Sequence, residues 1–79
     1  MREYQLNLDE EVKTSYVASE IAERLGFSKE EFEVNPNLES GTWDVYTKSN
    51  PEQATLSVDV FGRKVESSVE IPREILDSF

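Results

Sequence analysis

The side chains with the most chemical potential in this chain are its carboxylates. Seventeen of its 79 residues are Asp or Glu, against eight Lys or Arg, and the formal net charge is −9 at pH 7. Paired carboxylates can act as acid and base in hydrolysis, and carboxylates spread over a surface can bind a basic partner by charge complementarity. The composition therefore poses a choice between a small hydrolase and a protein-binding surface.

The other residue types argue against an enzyme. The chain has no histidine and no cysteine, so the usual general base near neutral pH, the thiolate nucleophile and the common zinc ligands are missing. A carboxylate pair would still need a water-excluding cleft, and a chain of this size buries only about 60% of its unfolded surface. We therefore expect no enzymatic activity, no cofactor and no metal site.

The negative charge also limits the partners. Nucleic-acid backbones and anionic membrane surfaces repel a chain of charge −9, so neither is expected as a direct ligand. The N-terminal sequence lacks the apolar run of a secretory signal, and no apolar run approaches the ~20 residues of a membrane span. We expect a cytoplasmic protein whose partners are basic proteins.

Hydrophobic periodicity predicts the elements of the first half. Alternating apolar residues over residues 2–8 predict a strand, and an apolar arc over residues 12–25 predicts an amphipathic helix that ends at Gly26. The spacing of Ser28 and Glu31 is that of a capping box, which predicts a short second helix.

The second half is predicted to hold three strands and a final short helix. Residues 34–41 contain an Asn-Pro and a Ser-Gly pair and predict a loop, followed by a strand around residues 43–45 and a hairpin over residues 57–71. Pro72 suits the first turn of the last helix. The predicted fold is a single α+β domain, residues 1–79, in the order β-α-(short α)-β-β-β-α, with a mostly antiparallel sheet and one long amphipathic helix on one face.

The hairpin has a predicted register. A two-residue turn at Gly62 and Arg63 makes Asp59 face Glu66 and places the aliphatic residues of both strands on one face. Phe61 then falls on the polar face beside the turn, where it could serve as an interface anchor. The register predicts two opposed carboxylates on the solvent side of the sheet.

Further carboxylates lie along the wet face of the helix and in the residues that follow it. Carboxylates one helical turn apart are about 5 Å from each other, and those opposed across a strand pair are roughly 5.5 Å apart. Such spacings come near the charge spacing of a duplex, one charge per ~3.4 Å of each strand. The residues predicted to bind a partner are Asp59, Phe61, Glu66, Glu70, Glu20, Glu23, Glu30 and Glu31.

The function that follows is a small inhibitor that binds a protein. We expect it to occupy a basic nucleic-acid-binding surface of a host protein. Its carboxylates would then mimic the charge pattern of a nucleic acid. In type it is similar to anti-CRISPR, anti-restriction and glycosylase-inhibitor proteins, which are short, acidic and cofactor-free. The alternatives are a self-associating structural or assembly module of a phage or accessory system, and a designed scaffold or binder. The inhibitor is expected to be a monomer, and the assembly module a dimer or ring.

Overall fold

The computed structural model describes residues 2–6 and 13–78. Within them, five strands form one antiparallel sheet and two helices accompany it, which confirms the α+β class. In chain order the elements are β1 Arg2–Gln5, α1 Thr14–Arg24, β2 Phe32–Asn37, β3 Thr42–Thr47, β4 Leu56–Asp59, β5 Lys64–Ser67 and α2 Arg73–Leu76. The strand order across the sheet is β1-β5-β4-β3-β2.

The core lies between α1 and one face of the sheet. The buried residues of α1 recur at helical spacing and face β2, β3 and β4. α2 packs against α1, so no described helix covers the opposite face of the sheet. The buried apolar residues are Leu6, Val17, Ala18, Ile21, Ala22, Phe32, Val45, Leu56, Val58, Val65 and Ile71.

The end of α1 agrees with the sequence prediction. α1 ends at Arg24, and Gly26 follows with φ +106°, a conformation in which glycine avoids the clash of a Cβ atom. α1 begins at Thr14, after Lys13 with extended backbone, so this helix of 11 residues begins two residues later than the predicted arc over residues 12–25. The sequence offers Asn7 or Asp9 as its N-terminal cap, and both lie outside the described residues.

The predicted short helix at residues 28–31 is wrong, because this segment forms a turn. The Glu31 N–H donates to the Ser28 carbonyl (2.9 Å), and the Ser28 hydroxyl donates to the Glu31 carboxylate (2.9 Å). The two side chains therefore bond to each other instead of satisfying helix N–H groups. Phe32, which is 8% exposed, then begins β2.

The predicted loop over residues 34–41 is wrong in its first half, which belongs to β2. Pro36 lies inside this strand without breaking the sheet, because β2 is an edge strand and proline lacks only an N–H. Residues 38–41 form the loop between β2 and β3, and Gly41 takes φ +67° there. The order of described elements is therefore β-α-β-β-β-β-α.

The register of the β4–β5 hairpin differs from the prediction by two residues. Val58 pairs with Val65, and Ser57 pairs with Glu66. A shift of two residues keeps the paired side chains on their predicted faces, because side chains alternate with a period of two. Val60, which was predicted on the aliphatic face, instead falls in the loop after β4 and is exposed. The predicted opposition of Asp59 and Glu66 is nevertheless wrong.

The side chain of Asp59 accounts for the different register. Its Oδ1 accepts the backbone N–H groups of Arg63 (2.8 Å) and Lys64 (3.3 Å), while its carbonyl accepts the Gly62 N–H (2.9 Å). An Asp at the first position of a turn and a Gly at the fourth are typical of a type I turn. The loop therefore comprises residues 60–63, with Gly62 at φ +69°.

Candidate protein-binding surface

The sheet face opposite the helices carries the polar half of every strand. Side chains alternate along a strand, so the residues between the buried core positions point away from α1. We call this surface the open face. The charged residues of its paired strands are Glu3, Glu33, Asp44, Asp59, Glu66 and Lys64.

One row of side chains crosses all five strands of the open face. Glu3 pairs with Glu66, Glu66 with Ser57, Ser57 with Asp44, and Asp44 with Asn35. Neighbouring strands lie about 4.8 Å apart, so the carboxylate positions of this row are separated by about one and two strand spacings. The row is a line of negative charge across the sheet.

Asp44, on β3 in that row, is nearly buried at 5% exposure. Its carboxylate accepts hydrogen bonds from Thr42 Oγ1 (2.7 Å) and Asn37 Nδ2 (3.0 Å), and a further one from the Ser57 side chain. Burial alone would raise its pKa, but the hydrogen bonds from these neighbours outweigh burial, and the pKa of Asp44 lies below its ordinary value. The group is therefore a fixed negative charge at neutral pH.

Three of the eight predicted partner-binding residues lie on or beside the open face. Asp59 and Glu66 belong to it, although they do not face each other. Phe61 lies in the loop of residues 60–63, at one end of the sheet, and is 78% exposed. The exposure of its ring is as predicted, but its position is in the turn.

Two other predicted residues lie on the far side of the sheet. Glu20 and Glu23 belong to α1, and their carboxylates pair with Arg24 (3.6 Å) and Lys29 (3.8 Å). Because α1 packs against the covered face of the sheet, one flat partner surface would not contact both these residues and the open face.

The remaining three predicted partner-binding residues lie apart from the open face and from α1. Glu70 follows β5 and forms an ion pair with Arg2 (3.1 Å). Glu30 and Glu31 lie in the turn between α1 and β2, where Glu31 accepts the Ser28 hydroxyl. The structure thus groups only part of the predicted set.

Sequence reasoning missed three carboxylates of the open face, Glu3, Glu33 and Asp44. The signal for Asp44 was present, since it lies between Trp43 and Val45, whose alternation places it on the polar side of a strand. Glu3 lies within a predicted strand, but the sequence did not show that this strand pairs with β5 and so adjoins the site. Glu33 was missed because its strand was not predicted.

Two open grooves flank the sheet. One of 330 Å³ lies at the start of β2 and the end of β3, and one of 400 Å³ lies between β1 and α2. Within residues 2–6 and 13–78, no cluster of three or more metal-ligating side chains is found. Neither of the described helices is long and apolar enough to cross a bilayer.

What this surface offers chemically is negative charge and hydrogen-bond acceptors held on a hydrogen-bonded sheet. These groups suit lysine and arginine side chains, which donate hydrogen bonds and carry the opposite charge. Comparison with protein-family models, with curated proteins and with solved structures found no match to this chain.

Proposed function

We propose that this chain is a small protein-binding inhibitor whose open face occupies a basic nucleic-acid-binding surface of another protein. The observation that supports it best is the imbalance of charge on that face, where five carboxylates accompany one lysine and no described helix intervenes. A partner rich in lysine and arginine complements such a face. The nucleic acid that it normally binds would then be excluded.

Asp44 supports a role beyond solubility. A carboxylate that only keeps a protein in solution needs to be exposed, whereas Asp44 is almost buried and its hydrogen bonds favour the ionised form. Its field is screened less by water and salt than that of an exposed carboxylate. The face therefore has a permanent negative centre.

The molecule has the dimensions for such an interface. It measures 33 × 28 × 22 Å, and a standard protein interface buries about 800 Å² on each partner, which one broad face of this size can supply. The carboxylates would chiefly speed and orient association, while the contact area would supply affinity.

A displacement assay tests the proposal. The purified chain is titrated against an RNA-guided nuclease, a restriction enzyme and a DNA glycosylase, each holding a fluorescein-labelled duplex that is followed by anisotropy. We expect stoichiometric displacement of the duplex from at least one of them. Failure to displace it from any would contradict the proposal.

A pair of charge-matched variants then locates the surface. Glu33→Gln with Glu66→Gln removes two charges from the open face, and Glu30→Gln with Glu74→Gln removes two exposed charges elsewhere. Because both variants have the same net charge, any difference reflects position. The open-face variant should need about tenfold more protein for displacement, and equal effects of the two variants would show that only net charge matters.

Sedimentation separates this function from self-assembly. A chain of charge −9 that binds a basic partner should remain a monomer at micromolar concentration. A dimer or ring whose size does not depend on concentration would favour the assembly module instead.

A further inference from the structure

Exposed apolar side chains are concentrated at one end of the sheet. Among the described residues, three of the five large exposed hydrophobics lie in the two neighbouring loops of residues 38–41 and 60–63, which we call the hairpin end. Leu38 is 94% exposed, Phe61 78% and Val60 48%. Single exposed apolar residues are ordinary, but three on one end of a 79-residue chain form a patch.

The two loops are connected to each other and held in place. The Val60 N–H donates to the Gly41 carbonyl (2.9 Å), which joins the loops. In the first loop, Asn37 Oδ1 accepts the N–H groups of Glu39 (3.1 Å) and Ser40 (3.3 Å). Asp59 closes the second loop in the same manner. Loops ordered before binding lose less conformational entropy when they bind.

The hairpin end is continuous with the open face. Thr42 and Asp59, which pair at the ends of β3 and β4, belong to that face and also adjoin the two loops. The centres of the loops are separated by about two strand spacings, or roughly 10 Å. An occupant of the hairpin end therefore also meets the carboxylates of the open face.

We infer that the hairpin end is the apolar anchor of a protein interface, with Leu38 and Phe61 inserted into an apolar pocket at the margin of a basic groove. This inference rests on the proposed function and adds to it the part of the partner that would supply affinity. Buried aromatic and aliphatic anchors beside a charged surface are where binding energy concentrates. The partner's lysines and arginines would meet Asp59 and the open face while its pocket receives the two loops.

The area of the hairpin end and the charge of the chain favour a basic protein over a second copy of this chain as the partner. An aromatic side chain buries at most about 250 Å², and only Phe61 of the three is aromatic, so together they supply less than the ~800 Å² per partner of a stable interface. Two copies would also bring together surfaces of the same sign, in a chain of net charge −9. A basic protein avoids both problems because the open face contributes the remaining area.

The inference is tested with Phe61→Ala and Leu38→Ala, and with Tyr16→Ala as a matched control. Tyr16 is a 58% exposed aromatic residue on α1, on the other side of the sheet. The dissociation constant is measured for whichever of the three enzymes releases its duplex to the wild-type chain. We expect each hairpin-end variant to bind about tenfold or more weakly through faster dissociation, and the control to bind within about twofold of wild type.

Each outcome decides a different point. If the wild-type chain displaces the duplex but the hairpin-end variants bind as well as wild type, this inference fails and the proposed function stands. If the wild-type chain displaces nothing, both fail. A wild-type dimer that Phe61→Ala dissociates, or binding to phosphatidylcholine vesicles that Phe61→Ala abolishes, would assign the anchor to another occupant and overturn the inference.

Thermal melting checks that the two anchor side chains do not stabilise the fold itself. Leu38→Ala and Phe61→Ala should melt within about 2 °C of wild type, because neither side chain is buried. A large loss of stability in both would place them in the fold and overturn their role as an anchor.

Discussion

At the scale of single residues, Asp44 shows how a sheet can hold a charge that water barely reaches. Hydroxyl and amide groups replace the water that burial removes, and they do so well enough to lower the pKa of the carboxyl group. Asn37 serves two purposes, because its amide nitrogen donates to Asp44 (3.0 Å) while its amide oxygen accepts N–H groups of the adjoining loop. The charge and the loop are therefore organised together.

Asp44→Asn should destabilise the protein by about 2 kcal/mol. The new amide can keep its oxygen towards Asn37 Nδ2, but its nitrogen then replaces the carboxylate oxygen that accepts the Thr42 hydroxyl (2.7 Å), and the bond from Asn37 is no longer strengthened by a negative charge. Urea denaturation at pH 7 measures the free energy of unfolding. Asp59→Asn is the control, because an amide keeps the Oδ1 that accepts the N–H groups of Arg63 and Lys64, and it should change stability by less than about 0.5 kcal/mol.

Wild type and Asp44→Asn should also differ in how their stability changes with pH. The folded-state pKa of Asp44 lies below its unfolded value, so its stabilisation is fully present above the unfolded pKa of about 3.9 and is lost as pH falls through the folded pKa. The difference in unfolding free energy between wild type and Asp44→Asn should therefore shrink as pH is lowered from about 6 to about 2. A difference that stays constant over this range would mean that folding leaves the pKa of Asp44 unchanged, and a difference that grows as pH falls would mean that folding raises it.

At the scale of elements, the sequence predicted faces better than it predicted loop lengths. Period-two alternation placed Val58 and Val65 on the core side and Glu66 on the solvent side, and all three lie there. The turn was misplaced because its length depends on one carboxylate, that of Asp59, which bonds two N–H groups beyond it. Periodicity carries no information about such a bond.

β2 was missed for a different reason. Pro36 and the Asn residues around it indicate a loop when read locally, and only the position of β2 at the edge of the sheet makes a proline acceptable there. Whether a strand is at an edge depends on the whole topology. The Ser28 and Glu31 pair shows the same limit, since the spacing of a capping box fits a turn as well as a helix.

Like charges do oppose each other in this sheet, between β1 and β5. Glu3 pairs with Glu66, an arrangement that destabilises a sheet by about 0.2–1 kcal/mol, and Lys64 at 3.8 Å from Glu3 offsets part of the repulsion. Glu66→Gln should therefore stabilise the isolated protein by about 0.5 kcal/mol at low salt, measured by urea denaturation. Glu33→Gln is the control, because Glu33 pairs with Tyr46 and should give a smaller gain.

The outcome bears on function as well as on stability. If Glu66→Gln stabilises the chain and also weakens duplex displacement, the Glu66 carboxylate lowers stability and favours binding, as residues of binding sites often do. If stability falls on removing this charge, Glu3 and Glu66 do not repel each other and the register of β1 against β5 would need revision.

At the scale of the whole molecule, net charge could be predicted and its distribution could not. The excess of acidic residues is evident in the composition, but the sequence suggested that Glu20 and Glu23 join Asp59 and Glu66 in one site. The sheet separates them, because α1 lies on the covered face. Which carboxylates share a surface depends on strand order and on the side that the helix occupies, and neither follows from spacing along the chain.

The charge of the whole molecule should govern how fast it meets its partner. Raising the salt concentration from about 50 to 500 mM shortens the screening length from roughly 14 to 4 Å, which removes long-range attraction but leaves close contacts largely intact. With the enzyme that releases its duplex, the association rate constant measured by stopped flow should fall at least about tenfold over this range, and the dissociation rate constant should change much less. The Phe61→Ala variant provides the contrast, because it keeps all 17 acidic residues and should show the same salt dependence of association with faster dissociation. An association rate that does not depend on salt would rule out charge complementarity as the basis of recognition, even if the chain inhibits its partner through other contacts.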